Sequence, residues 1–177
     1  VLKYPEAELE AIIKAAIDNA AAAKKQSTSA KEKFIALDIG PSGKLLKPLG
    51  DLDFEDAVEI FAKTVKIGVE HGVDLIIIET MNDSYETKAA LLAVKENTKL
   101  PVFVTMTFDE CKKTLTGASV EIMAAMLEGL GADCIGINCG LGPVQIKDMM
   151  ADLAKVCSIP IMAQPNAGLP VIENGET

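Results

Sequence analysis

Five short, uninterrupted aliphatic runs divide the chain, and between them apolar positions recur every three or four residues. The first periodic stretch predicts a helix. Pro5 suits its opening position, Leu9, Ile12, Ile13, Ala16, Ile17 and Ala20 form one stripe, and the polar run 26–29 ends it. The run 34–39 is of strand length and closes on Gly40, Pro41, Ser42 and Gly43, where the chain must turn. Asp53 caps a second helix with the stripe Phe54, Ala57, Val58, Phe61, Val65 and Gly68, and Gly72 stops it before a strand over 74–79. Asp83 and Glu86 form a capping box for a helix through Val94. A strand over 100–106, a helix from about Ala118 to Leu130 and a strand over 133–138 follow. A helix opened by Gly142 and Pro143 runs through Val156, and a strand over 159–163 completes the series.

The strands are continuously apolar rather than alternating, and they recur at the length of a βα unit. Such runs indicate a parallel sheet buried on both faces. A doubly wound sheet and a (β/α)8 barrel share this rhythm, but the phosphate-binding pattern G-x-G-x-x-G follows none of the strands. The expectation is therefore a partial (β/α)8 TIM barrel of about five βα units. A whole barrel takes about 250 residues, so the first and last strands are expected to be missing from these 177 residues.

Composition narrows the partners. Every basic residue is a lysine, and the excess of Asp and Glu leaves a formal charge of −9, which disfavours nucleic acid and anionic membrane surfaces. No charged-then-apolar leader opens the chain and no apolar run approaches the ~20 residues that cross a bilayer. Cys111, Cys134, Cys139 and Cys157 lack the density of a secreted disulfide scaffold, so a cytoplasmic protein with free thiols or metal ligands is expected.

In a parallel sheet of either kind, chemistry gathers at the carboxyl ends of the strands. Those ends carry Asp38, Glu79 with Thr80, Thr105 with Thr107, Asn138 with Cys139, and Gln164 with Asn166. Alternation places Glu79 on the side of Leu75 and Ile77, which aims its carboxylate into a pocket where it can bind a cation or an ammonium. The plainer reading is that Glu79 favours the start of the next helix. Cys139 lies where a strand breaks into glycines, reachable and close to backbone N–H groups, an environment that favours thiolate. Alternation puts Cys134 on the opposite face, so the two share no metal site. One thiolate does not hold zinc. From these residues alone, Cys139 as a small loop residue is the simpler account. His71 is expected as a satisfied helix-end histidine, and Met123, Met126, Met149 and Met150 as core. Gly40 to Lys44 fails the phosphate-loop spacing, and no lysine lies in a strand for Schiff-base chemistry.

Four stretches in this order, Asp38 to Gly43, Ile78 to Met81, Gly136 to Pro143 and Pro165 to Pro170, resemble the homocysteine S-methyltransferase domain of cobalamin-dependent methionine synthase. The resemblance covers nearly the whole chain and makes residues 1–177 the central portion of a homocysteine-binding barrel. It implies that Cys139 is one of three cysteine ligands to a catalytic zinc, the other two lying beyond Thr177. It also implies that Glu79 receives the homocysteine ammonium, that Asn166 is an exchangeable ligand beside the metal, and that Asp38 and Asn138 line the pocket. Thr80 and Gly140 are lesser candidates. The methyl group would come from methylcobalamin on a separate module and be replenished from a folate-binding module.

Three readings follow: an inactive piece of a zinc-dependent homocysteine methyltransferase; a Mg²⁺ enzyme using Asp38, Glu79 and further carboxylates; or a non-catalytic barrel fragment that self-associates through its exposed edges.

Overall fold

The computed structural model describes residues 5–168. A single turn of 3-10 helix, Glu6–Glu8, leads into α1 (Leu9–Gln26). Strand and helix then alternate: β1 (Ala36–Ile39), α2 (Phe54–Glu70), β2 (Leu75–Met81), α3 (Ser84–Asn97), β3 (Val102–Met106), α4 (Val120–Gly129), β4 (Cys134–Asn138), α5 (Pro143–Val156) and β5 (Ile161–Gln164). Among the described residues no helix is long and apolar enough to cross a membrane.

The five strands form one sheet in the order β1-β2-β3-β4-β5, and every neighbouring pair is parallel. A doubly wound sheet reverses its strand order at a switch point. This one does not, so right-handed crossovers place the connecting helices on one face, as around part of a barrel. Ile76, Ile78, Val102 and Val104 are wholly buried beneath that helical layer, and Ile135 and Ile137 nearly so. Met106, Ile135 and Ile137 meet Val120, Met123 and Leu127 of α4 and Leu153 of α5 around a small apolar cavity. Alternation then assigns the other face to Ala36 and Asp38, Leu75, Ile77 and Glu79, Phe103 and Thr105, and Cys134, Gly136 and Asn138. This is the face that a closed barrel turns inward.

Each predicted strand is present, displaced by one or two residues at its ends. The departures have physical causes. The stripe of α1 is mostly open, with only Ile17 buried, because α1 lies beside the edge strand β1, packs mainly on α2 and leaves a cavity between its stripe and Ala36, Leu37 and Asp38. The capping box is half formed. Asp83 Oδ1 accepts from the N–H groups of Tyr85 and Glu86 at 2.6 and 3.1 Å. The Glu86 carboxylate, however, turns away to accept from the backbone N–H of Ser42 at 2.7 Å and from its hydroxyl. A buried side chain of α3 thereby holds the loop that follows β1. His71 caps the carboxyl end of α2, and its buried Nε2 faces the Glu10 carboxylate of α1 at 3.5 Å. Met123 and Met149 are core, with Met126 and Met150 packed against it.

Close approach between β4 and β5 depends on Gly136, where an added Cβ would stand 2.1 Å from the Met162 carbonyl oxygen. Because backbone cannot yield as a side-chain tip does, Gly136→Ala is expected to lower the unfolding free energy in urea by more than about 2 kcal/mol. Gly40→Ala, which meets nothing within 4 Å, should leave it nearly unchanged.

Candidate functional site

The carboxyl ends of β2, β3 and β4 are tied together by one side chain. Asn138 is 3% exposed, and all four hydrogen-bonding positions of its carboxamide are used. Its Oδ1 accepts from the backbone N–H of Thr80 at 3.0 Å and from Thr105 Oγ1 at 2.9 Å. Its Nδ2 donates to Thr80 Oγ1 at 2.7 Å and to Cys139 Sγ at 3.4 Å. The backbone carbonyl of Asn138 accepts in turn from Thr107 Oγ1 at 3.1 Å.

Two residues in this cluster have left-handed backbone conformations without being glycine: Thr80 with φ +60° and Cys139 with φ +54°. For an L-residue that conformation costs about 1–2 kcal/mol, and a β-branched threonine is an outlier there. At Thr80 it accompanies a bulge, in which Ile78 pairs with Val104 but Met81 with Met106, so β2 carries one extra residue. At Cys139 it overturns the expectation from alternation. The sulfur does not follow Ile135 and Ile137 toward the helices but turns to Asn138 and Thr80, with Thr80 Oγ1 at 4.0 Å. Cys134 faces the barrel side lower on β4 and is buried.

The turn after Cys139 is tight. Leu141 N–H donates to the Cys139 carbonyl at 2.6 Å, a γ-turn centred on Gly140 at φ +66°. Cys139 N–H donates to the carbonyl of Gln164 on β5, and Asn166 N–H to that of Leu141, both at 3.1 Å. Asn166 is thus held against the loop that carries the thiol. The remainder of its motif, Leu169 and Pro170, lies outside the described residues.

Asp38 and Glu79 stand on neighbouring strands, with Asp38 in register with Ile77. Burial raises the Asp38 carboxyl above its ordinary value; for Glu79 burial and then the negative charge of Asp38 do the same. Neither carboxylate takes part in an ion pair found among the described residues. A positive charge placed between two such carboxylates would relieve their mutual repulsion. No group of three or more His, Cys, Asp and Glu side chains suited to a metal occurs among the described residues. At these strand ends the described residues hold one partly exposed thiol, Cys139, with Asn138 Nδ2 and Thr80 Oγ1 beside it.

The sequence model of the homocysteine S-methyltransferase family matches residues 2–177. The chain belongs to that family. Within the curated members, methionine synthase of Mycobacterium leprae is 30% identical over 155 residues, 85% of this chain and 13% of that protein. Methionine synthase of Mycobacterium tuberculosis is 29% identical over 147 residues, 80% of this chain and 12% of that protein. The chain therefore spans about one eighth of the curated homocysteine S-methyltransferase relatives it matches. The homocysteine methyltransferase MmuM from Escherichia coli superposes in its apo form with a TM-score of 0.81 at 20% identity, covering 95% of this chain and 64% of that one. Its metallated form gives 0.76 at 22% identity, covering 93% and 61%. At such identities these structures establish the fold, a partial barrel of five parallel strands.

The site was only partly visible beforehand. Asn138 counted only as a pocket-lining residue, and the use of its whole amide by protein partners went unforeseen. Glu86 also went unnoticed beyond its capping role, although a glutamate in line with Ala90, Ala93 and Val94 on the buried side of α3 is a readable signal.

The raised carboxyl values have a consequence for stability. Stability tied to the neutral forms is present below the ordinary carboxylate range and is lost as pH rises through the raised folded-state values. Glu79→Gln should therefore be more stable than the parent chain at pH 7, by less than about 1 kcal/mol because both groups reach solvent. In paired urea titrations the gain should vanish by about pH 3.5. A loss of stability at pH 7 would mean that the carboxylate has a favourable partner.

Proposed function

We propose that residues 1–177 are the central portion of a homocysteine-binding (β/α)8 barrel, in which Cys139 is one of three thiolates holding a zinc ion that activates homocysteine for methylation. The observation that carries this reading is the left-handed conformation of Cys139. It turns a half-exposed sulfur onto the strand-end face that also bears Glu79 and Asp38. Membership of a methyltransferase family and the likeness to a fold whose relative has a metallated form support it. The remaining ligands belong to parts of the parent protein beyond this chain, which supplies one thiolate and is inactive by itself.

The chain's own residues divide the work. Glu79, with Asp38 beside it, binds the substrate ammonium. Asn138 Nδ2 and Thr80 Oγ1 lie next to the Cys139 sulfur and hold it on the strand-end face. Asn166, anchored on Leu141, serves as an exchangeable ligand. Bound at such a site, zinc stabilises the substrate thiolate at neutral pH while thiolate ligation keeps it nucleophilic. In this reading the methyl group is delivered by a cobalamin-binding module of the parent and replenished through a folate-binding one. A reducing compartment such as the cytoplasm suits these thiols.

The proximity of Asp38 and Glu79 also suits a second reading, a Mg²⁺ site built on these carboxylates. The two differ in the intact parent protein. The zinc reading expects one bound zinc, and Cys139→Ser should weaken its retention against a chelator at least about tenfold. Glu79→Gln should keep the zinc and raise the KM for homocysteine about 10- to 100-fold, the loss of one charged hydrogen bond. Metal retained in Cys139→Ser but lost in Glu79→Gln would overturn the zinc reading in favour of Mg²⁺.

A further inference from the structure

The two ends of the proposed substrate site lie on strands that do not touch. Glu79 is on β2 and Cys139 follows β4, with β3 between them. Ladder hydrogen bonds therefore fix each end only relative to β3. The shortest direct link is the Asn138 carboxamide, which holds the backbone and hydroxyl of Thr80, the residue after Glu79, and donates to the sulfur of Cys139, with Thr80 Oγ1 itself a longer 4.0 Å from that sulfur. Thr105 pins the same oxygen from the intervening strand.

Thr80 shows how much depends on this link. Its left-handed conformation is unfavourable for a β-branched residue and lies within the bulge of β2. If Thr80 relaxed to extended backbone, the bulge would be undone and the end of β2 would lose its kink, shifting Glu79 relative to the loop that carries Cys139 even though alternation keeps its face. The amide also has nothing left to offer a ligand, with both acceptor and both donor positions occupied.

Building on the function proposed above, we propose that Asn138 is a positioning residue that touches no substrate and sets the spacing between the Cys139 sulfur and the Glu79 carboxylate. It thereby selects the length of the amino-acid thiol that fits between them. A substrate with an ammonium at one end and a sulfur at the other is measured against that spacing, and one methylene too many or too few is what the arrangement rejects.

The test uses this chain and a set of thiol-directed methanethiosulfonates. Aminoethyl, aminopropyl and aminobutyl reagents carry the ammonium at increasing reach, and neutral alkyl reagents of matching length serve as controls. Peptide mass spectrometry reads the rate at Cys139 alone. The parent chain is expected to react faster with cationic than with neutral reagents and to prefer one cationic length by about fivefold. Glu79→Gln should abolish the cationic advantage. Asn138→Ala should flatten the length preference while keeping a cationic advantage, because the Glu79 carboxylate that creates it remains. Loss of packing alone would change all rates by a common factor and leave the preference intact, which would overturn the proposal. Should Asn138→Ala fail to fold, Asn138→Leu, which keeps the volume but removes all four hydrogen bonds, carries the same comparison. If Glu79→Gln leaves the cationic advantage unchanged, the ammonium reading itself fails and takes the spacing role with it. If Glu79→Gln abolishes the advantage but Asn138→Ala keeps the length preference, the spacing role alone fails.

Discussion

A carboxamide buried at the end of a strand has four hydrogen-bonding positions, and each one left empty costs about 1–3 kcal/mol. Asn138 fills all four from protein groups on β2, β3 and the start of the β4–α5 loop. Its partners are no freer than it is. Thr80 and Cys139 each carry a backbone conformation that L-residues avoid, by about 1–2 kcal/mol, and each is bonded to the amide. The cluster persists because its members are mutually required: satisfied polar groups offset strained backbone, and strained backbone brings those groups within reach.

The sheet gives this cluster its setting. An unreversed order of parallel strands puts the helices on one side, so the polar residues at the strand ends can converge only on the other. Apolar burial beneath the helices, with Ile76, Ile78, Val102 and Val104 fully covered, holds the strand ends rigid. Against that frame the two carboxylates of Asp38 and Glu79 remain unneutralised, each above its ordinary value. The face is chemically uneven, anionic at β1 and β2 and bearing a thiol beyond β4. An amino acid with a terminal sulfur has the matching unevenness.

The architecture was legible because its signals are local. Uninterrupted aliphatic runs at βα spacing specify parallel strands, and the missing phosphate fingerprint removes the commonest competitor. The side of Glu79 was also legible, since Leu75, Ile77 and Glu79 share exposure while Ile76 and Ile78 have none. Alternation failed at Cys139 because a residue with φ +54° has left the strand, and only the glycines beside it hint at that. The hub at Asn138 could not be read at all. Three of its four bonds reach partners 33 or 58 residues away, and no periodicity encodes which side chains meet across a sheet. Glu86 shows the same limit, reaching across 44 residues to Ser42 instead of closing a local cap.

That separation in sequence sets an order of events during synthesis. Each βα unit packs chiefly on its immediate neighbours, so the sheet can grow strand by strand as the ribosome releases it. Thr80 emerges 58 residues before the amide that stabilises its backbone. Until Asn138 leaves the exit tunnel, β3 and the segment after it hold β2 on either side of the bulge, but the backbone N–H and hydroxyl of Thr80 lack the amide that satisfies them. The nascent chain can hold a sheet with the Glu79 carboxylate on it before the strand end that turns the Cys139 thiol onto the same face has been made.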